Sequence, residues 1–392
     1  MSEHTDETEP VVVRGLEGIV AAETDISFVD GVNGNLYYKG YNIHDIARHT
    51  TSWTEVIYLL LYGELPLENQ LDEFRRHIIA EMRIPAQVIK MIEIIPPSTH
   101  PMDILRTAVS ALAYFDPDYS DNTIAGSHRK GIRLIAQIPT LVAIMYRIRS
   151  QKSILSPDPT LNVAANFLYM LHGIIPSELH ARAMDLLLLL HADHGLNAST
   201  FAARVTASTW SDMYSAVTTA IGTLKGPLHG GANERVMKML RNINAVDEVE
   251  EYINTMLAHG ERVMGFGHRV YKKEDPRARH LRELSEALCT EQGNEKLYKI
   301  SHRIEQHVLE VKGIYPNVDF YSATVQHALG IPEEYYTAVF AASRISGWVA
   351  HIIEQYKDNR LIRPTSKYIG EYNKKFIHIS ERKPYESVQS IE

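Results

Sequence analysis

The chain has 392 residues, of which 45% are apolar and 22% charged, with a net charge of -8. These are the proportions of a folded globular protein long enough for two domains, and they exclude a disordered or collagen-like chain. The negative balance argues against a general affinity for nucleic acid, so any anion site must come from local clustering of Arg, Lys and His. The one cysteine, Cys289, cannot form an internal disulfide, which fits a reducing compartment. It falls in a helical-looking run and reads as a packed helix residue, not a nucleophile.

The first ten residues, with Glu3, Asp6, Glu7 and Glu9, lack the apolar stretch of a signal peptide and the Arg-rich pattern of a transit peptide. The longest apolar stretch, Met184 to Leu190, is interrupted by Asp185 and is too short to span a bilayer. A cytoplasmic protein with no membrane partner is the expectation. Asn33-Gly34 between the apolar runs Ile26–Val29 and Leu36–Tyr38 signals a β-hairpin. Beyond it the pattern is helical. Helices are expected at Trp53–Leu61, at Glu68–Met82, and near 101–115, 130–149, 160–173, 177–192, 197–209 and 212–224. Leu186–Leu190 are apolar all round, so that helix should be central. Pro85, Pro96-Pro97 and Pro157-Asp158-Pro159 mark breaks.

Gly226-Pro227 and Gly330-Ile331-Pro332 bracket about a hundred residues in which helices alternate with charged loops. The expected architecture is mainly α. A large helical domain (1–226 and 331–392) carries an inserted smaller helical domain (227–330) and a small N-terminal β-hairpin, with the ligand cleft between the domains.

Four segments could carry chemistry. His229 precedes Gly230-Gly231 and a helix of roughly Asn233 to Arg241. It is either an ordinary turn residue or a neutral imidazole, kept so by the helix N-terminus, that donates to a carbonyl gaining charge. The stretch from Arg262 to Arg279, centred on Gly267-His268-Arg269, holds six Arg or Lys residues against two acids. It is either a solvated basic loop or an anion site, with Asp275 as N-cap, Pro276 at the first helical position and Arg277 in the first turn. Asp319 follows the N-cap Asn317 and is either a dipole stabiliser or a general base held among Val318, Phe320 and Tyr321. Arg344 shares an apolar helix face with Phe340, Trp348 and Ile352, and there it needs an anion: a buried acid of the protein or a ligand. His191, Asp193 and His194 lie close in sequence, but they cannot easily converge on a metal and no HExxH pattern occurs.

Together these segments resemble the citrate synthase family. The resemblance runs from Gly15-Leu16-Glu17-Gly18 to Arg363-Pro364 and rests on Gly226-Pro227-Leu228-His229-Gly230-Gly231, Gly265-Phe266-Gly267-His268-Arg269, Asp275-Pro276-Arg277, Asn317-Val318-Asp319 and Ser343-Arg344. It implies a mostly helical homodimer that binds oxaloacetate and acetyl-CoA, the latter as co-substrate, with no permanent cofactor and no metal. By matching motif, Asp319 is the base toward the acetyl-CoA methyl group, His229 the enol stabiliser and His268 the group that polarises the oxaloacetate carbonyl. His194, His268, Arg277 and Arg344 match oxaloacetate ligands, and Arg363 matches an arginine that reaches the partner's site. The backbone of Val263, Met264, Gly265 and Gly267 resembles the adenine loop, and Asn317 belongs with the CoA contacts. Arg269, Lys272 and Lys312 are candidate phosphate partners.

One departure is Gly195, where the family usually has Glu. The chain also lacks the long N-terminal extension of the NADH-regulated branch, so simple dimers are expected. 2-Methylcitrate synthase, which prefers propionyl-CoA, shares these residues. A metal-dependent helical hydrolase built on His191, Asp193 and His194 is a rival of another class.

Overall fold

In the computed structural model, residues 11–50 and 52–382 are described; the acidic tail of residues 1–10 lies outside them. By internal contact the chain divides into residues 24–362 and a second unit of 1–23 with 363–392. Within the described part of the second unit, 3-10 turns at Arg14–Leu16 and Ile379–Glu381 interrupt mostly irregular, exposed chain. Arg363 belongs to this unit and is exposed.

The larger unit opens with the expected hairpin. Strands β1 (Ser27–Asp30) and β2 (Asn35–Tyr38) pair antiparallel, with Phe28 opposite Tyr37 and Asp30 opposite Asn35. The Asp30 carboxylate accepts the Asn33 N–H at 3.0 Å, and Gly34 takes φ 73° to close the turn. A third strand, β3 (Tyr41–Asn42), was not expected; two residues are too few to show alternation.

Helices α1 (Ile43–His49), α2 (Trp53–Tyr62), α3 (Glu68–Glu81), α4 (Ala86–Glu93) and α5 (Pro101–Leu112) follow. The short α1 and α4 went unread, and α4 sits between the prolines taken as breaks. Next come α6 (Ile124–Arg149), α7 (Val163–His172), α8 (Glu178–His191), α9 (Ala198–Ser208) and α10 (Met213–Leu224). The segment 227–330 supplies α11 (Ala232–Arg241), α12 (Val249–Ala258), α13 (Pro276–Glu291), α14 (Glu295–Lys312) and α15 (Val318–Ala328), and α16 (Tyr336–Lys357) ends the unit.

Three long elements organise the core. Helix α6 starts six residues before its expected beginning, because the Thr123 side chain accepts the Gly126 N–H and caps it there. It corrects the reading of Met184–Leu190 as the longest apolar stretch. An 18-residue window of α6 has mean hydropathy 1.3, enough by length and composition to cross a membrane, but 83% of that window is buried inside the fold. Helix α8 is buried from Ala183 to His191. Asp185, which interrupts its apolar run, accepts the Trp53 N–H and the Asn162 amide, both at 2.8 Å, so it caps α2 from across the core.

Helix α16 is buried along nearly its whole length and packs on α6, α8 and α9. Gly347 sets its approach to the end of α8. The Gly347 N–H donates to the Ala192 carbonyl at 3.1 Å, and a Cβ at Gly347 would lie 2.4 Å from that oxygen and from Asp193 Oδ1. Overpacking of this kind costs about 1–3 kcal/mol. Gly347→Ala should therefore lower the thermal midpoint by several degrees and weaken anion binding at Arg344, one turn away. A calorimetric scan showing no loss would contradict the close approach.

Candidate active site

The candidate side chains stand in helix first turns, in the loops that lead into or out of helices and, in one case, within a buried helix. His194 follows the last turn of α8. Arg277 and Asp319 sit in the first turns of α13 and α15. Arg344 lies inside α16, and His229 and His268 occupy the loops before α11 and α13.

The two loop histidines are held in opposite tautomers. His268 Nδ1 accepts the backbone N–H of Val270 at 3.0 Å and of Tyr271 at 3.1 Å. Its proton is therefore on Nε2, which becomes a donor. His229 Nε2 accepts the Ser199 N–H at 3.3 Å and lies 2.9 Å from the Ser199 hydroxyl, whose oxygen also takes the Trp348 indole N–H. That arrangement places the His229 proton on Nδ1. Burial lowers the pKa of both rings to about 4; Arg344 adds to the effect on His229 and Arg277 to that on His268. The neutral imidazole expected at position 229 is thus observed with a different cause. Burial, with Arg344 next, disfavours the charged form.

Arg277 and Arg344 are each 2% exposed. Arg277 pairs in two bonds with Asp275, Nε to Oδ1 at 2.9 Å and Nη2 to Oδ2 at 2.7 Å. Burial pulls this guanidinium down, but the Asp275 carboxylate overrides it and holds the pKa above its ordinary value. Asp275 also accepts the N–H of Arg277 at 3.1 Å and of Val318 at 3.2 Å, so one carboxylate caps α13, as expected, and α15 as well. Arg344 donates from Nε to the His191 carbonyl at 2.6 Å, and its guanidinium lies 4.8 Å from the Phe340 ring centroid. Among the described residues no carboxylate forms an ion pair with it. Burial brings its pKa down to about 10, so it stays charged at neutral pH. A buried guanidinium that lacks a protein carboxylate is matched to a ligand anion.

His194 joins this group. Its Nε2 lies 3.1 Å from the Tyr271 hydroxyl and its ring centroid 5.2 Å from that of His268. Burial, with Arg277 next, keeps it well below the ordinary histidine range. Gly195 takes φ 57°, a backbone that a side chain such as the family's usual Glu would strain. His191, Asp193 and His194 do not share a site: His191 bonds the Leu187 carbonyl, Asp193 faces Ser27 and His351, and His194 faces Tyr271.

The Asp319 N–H donates to Asn317 Oδ1 at 3.0 Å, as expected of an N-cap at Asn317. The Asn317 amide in turn donates to the Gly267 carbonyl at 2.9 Å, which ties α15 to the His268 loop. Asp319 Oδ1 is buried without a hydrogen-bond partner. Burial raises this carboxyl to about 6, with Arg277, Arg344 and Arg235 opposing and Asp275 adding to the rise. A carboxylate so placed is a stronger base than an ordinary Asp.

A cavity of about 450 Å³ adjoins His229 and Asn317. Val263, Met264, Gly265 and Lys312 line it; Gly267, Arg269 and Lys272 do not, and the last two are exposed. Its other cations are Arg235 and Arg262. Neither was singled out as a phosphate partner, although Arg235 stands in the first turn after Gly230-Gly231, a position that could have flagged it. Gly265, at φ 81°, is required by contact as well: a Cβ there would lie 2.8 Å from Phe320 Cβ.

These features define a mainly helical protein in which two buried guanidiniums, three neutral imidazoles and a buried carboxyl accompany a cavity of about 450 Å³. The comparisons agree. The family profile for citrate synthase, C-terminal domain, matches residues 15–365. The chain is 48% identical over 374 residues to the citrate synthase of Haloferax volcanii, covering 94% of this chain and 98% of that one. It is 43% identical over 357 residues to the citrate/2-methylcitrate synthase of Bacillus subtilis, covering 91% and 96%. Its fold matches, at TM-score 0.90 and 35% identity, the structure of a ternary complex of carboxymethyl coenzyme A and oxaloacetate with the citrate synthase of Thermoplasma acidophilum, covering 95% of this chain and 100% of that one. The chain belongs to the citrate synthase family.

Two outcomes follow for Asp319. Only its ionised form can act as a base, so a role as general base predicts that kcat/KM falls as pH drops through about 6, while both imidazoles stay neutral down to about 4. An acid limb centred near 4 would assign it to the histidines instead. Because the folded pKa lies above the unfolded one, ionised Asp319 costs stability above pH 6. Asp319→Asn should abolish turnover and raise the thermal midpoint at pH 8, and a lowered midpoint would refute the unpaired-charge account.

Proposed function

We propose that the chain condenses acetyl-CoA with oxaloacetate and hydrolyses the resulting citryl-CoA to citrate and CoA. The observation that carries this reading is a buried Asp319 carboxyl oxygen without a partner, in the field of two buried guanidiniums, in a fold that also holds two neutral imidazoles of opposite tautomer. Arg277, Arg344 and His194 hold the carboxylates of oxaloacetate, and the cations favour addition at its keto carbon. His268 Nε2–H donates to the keto oxygen. Asp319 takes a proton from the thioester methyl group while His229 Nδ1–H donates to the thioester oxygen as charge develops there. The enol carbon then attacks the keto carbon. Water cleaves the thioester, leaving citrate and releasing CoA as the thiol.

The cavity beside His229 holds CoA, with the 263–267 backbone against adenine and Lys312, Arg235 and Arg262 nearest the phosphates. Residues 227–330 act as the smaller domain that closes over the substrates. The enzyme works as a cytoplasmic homodimer supplying the tricarboxylic acid cycle, and Arg363 completes the partner's site.

A second reading, 2-methylcitrate synthesis from propionyl-CoA, is favoured by the resemblance to a relative named for both reactions. One methylene changes binding by only about 1–3 kcal/mol, so packing around the acyl group decides. Thiol release should be faster with acetyl-CoA than with propionyl-CoA at equal concentration, each with oxaloacetate. A much higher kcat/KM for propionyl-CoA would reverse the assignment. The shared site has its own test. Mixing inactive Arg363→Ala and Asp319→Asn subunits should restore roughly a quarter of the activity, because each hybrid dimer holds one intact site. No recovery after verified subunit exchange would place Arg363 outside the partner's site.

A further inference from the structure

The hairpin β1–β2 is remote in sequence from every residue given a role above, yet it contacts both segments that carry the oxaloacetate histidines. At its base, the Tyr38 hydroxyl donates to the Asp193 carbonyl at 2.9 Å. The Ser27 hydroxyl donates to the Asp193 carboxylate and accepts the Gly195 N–H at 3.0 Å. The residues on either side of His194 are thus tied to the two strands. At its tip, the Gly31 carbonyl accepts the Lys272 N–H at 2.9 Å. A Cβ at Gly31 would lie 2.4 Å from the Val270 carbonyl oxygen and 2.8 Å from Val270 Cγ1, and one at Gly34 would lie 3.1 Å from the Glu274 carbonyl oxygen. Val270 and Tyr271 supply the two N–H groups that fix His268, and the Tyr271 hydroxyl meets His194.

We propose that the hairpin is a positioning clamp that sets His194 and His268 relative to one another, with Gly31 as its contact point on the His268 loop. The proposal rests on reading those histidines as oxaloacetate ligands. Gly31 is the informative residue because it is not among the positive-φ positions, whereas Gly34 is. Its missing side chain therefore serves the contact and not the turn. An Ala at position 31 leaves the hairpin free to form and displaces the 268–275 loop by about 1 Å, a shift that can cost catalysis about a hundredfold.

The test compares the native enzyme with Gly31→Ala, and with Val32→Ala at the exposed neighbouring position as control. The clamp predicts that Gly31→Ala raises the oxaloacetate KM at least about tenfold and lowers kcat, while the acetyl-CoA KM stays within about threefold. It also predicts faster deuterium uptake over 268–275 at an unchanged thermal midpoint, and native behaviour for Val32→Ala. An unchanged oxaloacetate KM, or equal rises in both KM values with a lowered midpoint, overturns it. Ser27→Ala tests the other arm if Gly31→Ala does not fold: it must raise the oxaloacetate KM, and failure to do so also overturns the clamp. If the native enzyme does not join oxaloacetate to acetyl-CoA, the functional reading is wrong, and deuterium uptake over 268–275 alone then decides the clamp.

Discussion

The site depends on two buried positive charges, of which only one is paired with a carboxylate among the described residues. Taking a guanidinium out of water costs several kcal/mol even after relaxation. Arg277 offsets that cost through the two-bond pair with Asp275, while Arg344 has only a carbonyl and the face of Phe340. The imbalance is local and therefore usable. The buried guanidiniums add to burial in keeping three nearby imidazoles neutral, and they oppose the rise in the Asp319 pKa. The imbalance also leaves the charge of Arg344 available to an incoming anion. The close approach at Gly347 is part of the same arrangement, since it brings α16 against the end of α8, where the His191 carbonyl receives Arg344.

Backbone groups, rather than mobile side chains, choose the tautomers. Two N–H groups point at Nδ1 of His268 and one at Nε2 of His229, so each ring presents its proton from the opposite nitrogen. Donors fixed in this way do not reorient as charge develops on a bound oxygen, which is where preorganised sites gain most over water. Asp275 extends the principle to helices. By capping both α13 and α15, it holds Arg277 and Asp319 in one frame.

The sequence was most legible where local rules act alone. Asn33-Gly34 marked the hairpin, Asp275 and Asn317 marked two helix starts, and four-residue spacing placed Arg344 on a buried face. It was least legible where meaning depends on a distant partner. Asp185 looked like an interruption because its partners, Trp53 and Asn162, lie elsewhere in the chain. Helix α6 was shortened at its start because its cap, Thr123, carries no apolar signal, and α4 and β3 are too short for periodicity to register. The neutral state of His229 could be expected but not its cause, since burial is a property of the assembled core. The cations of the cavity were read in part: Lys312 lines it, while Arg269 and Lys272 lie outside and Arg235 enters from another segment.

Asp319 shows why neither half of this environment would suffice. Burial without the arginines would push its carboxyl further up and shrink the ionised population at neutral pH. The arginines without burial would hold it at or below the ordinary carboxylate range and make it a poorer base. The balance, near 6, keeps most of the population ionised at neutral pH while strengthening the base. It still falls far short of the basicity a thioester methyl group requires. The remaining barrier must be lowered on the product side of the proton transfer, at the oxygen that gains charge. On the proposed reading, the buried neutral imidazole of His229, oriented by Ser199, is the group that serves there. The proposed base and donor are therefore one device, and its two halves depend on the same exclusion of water.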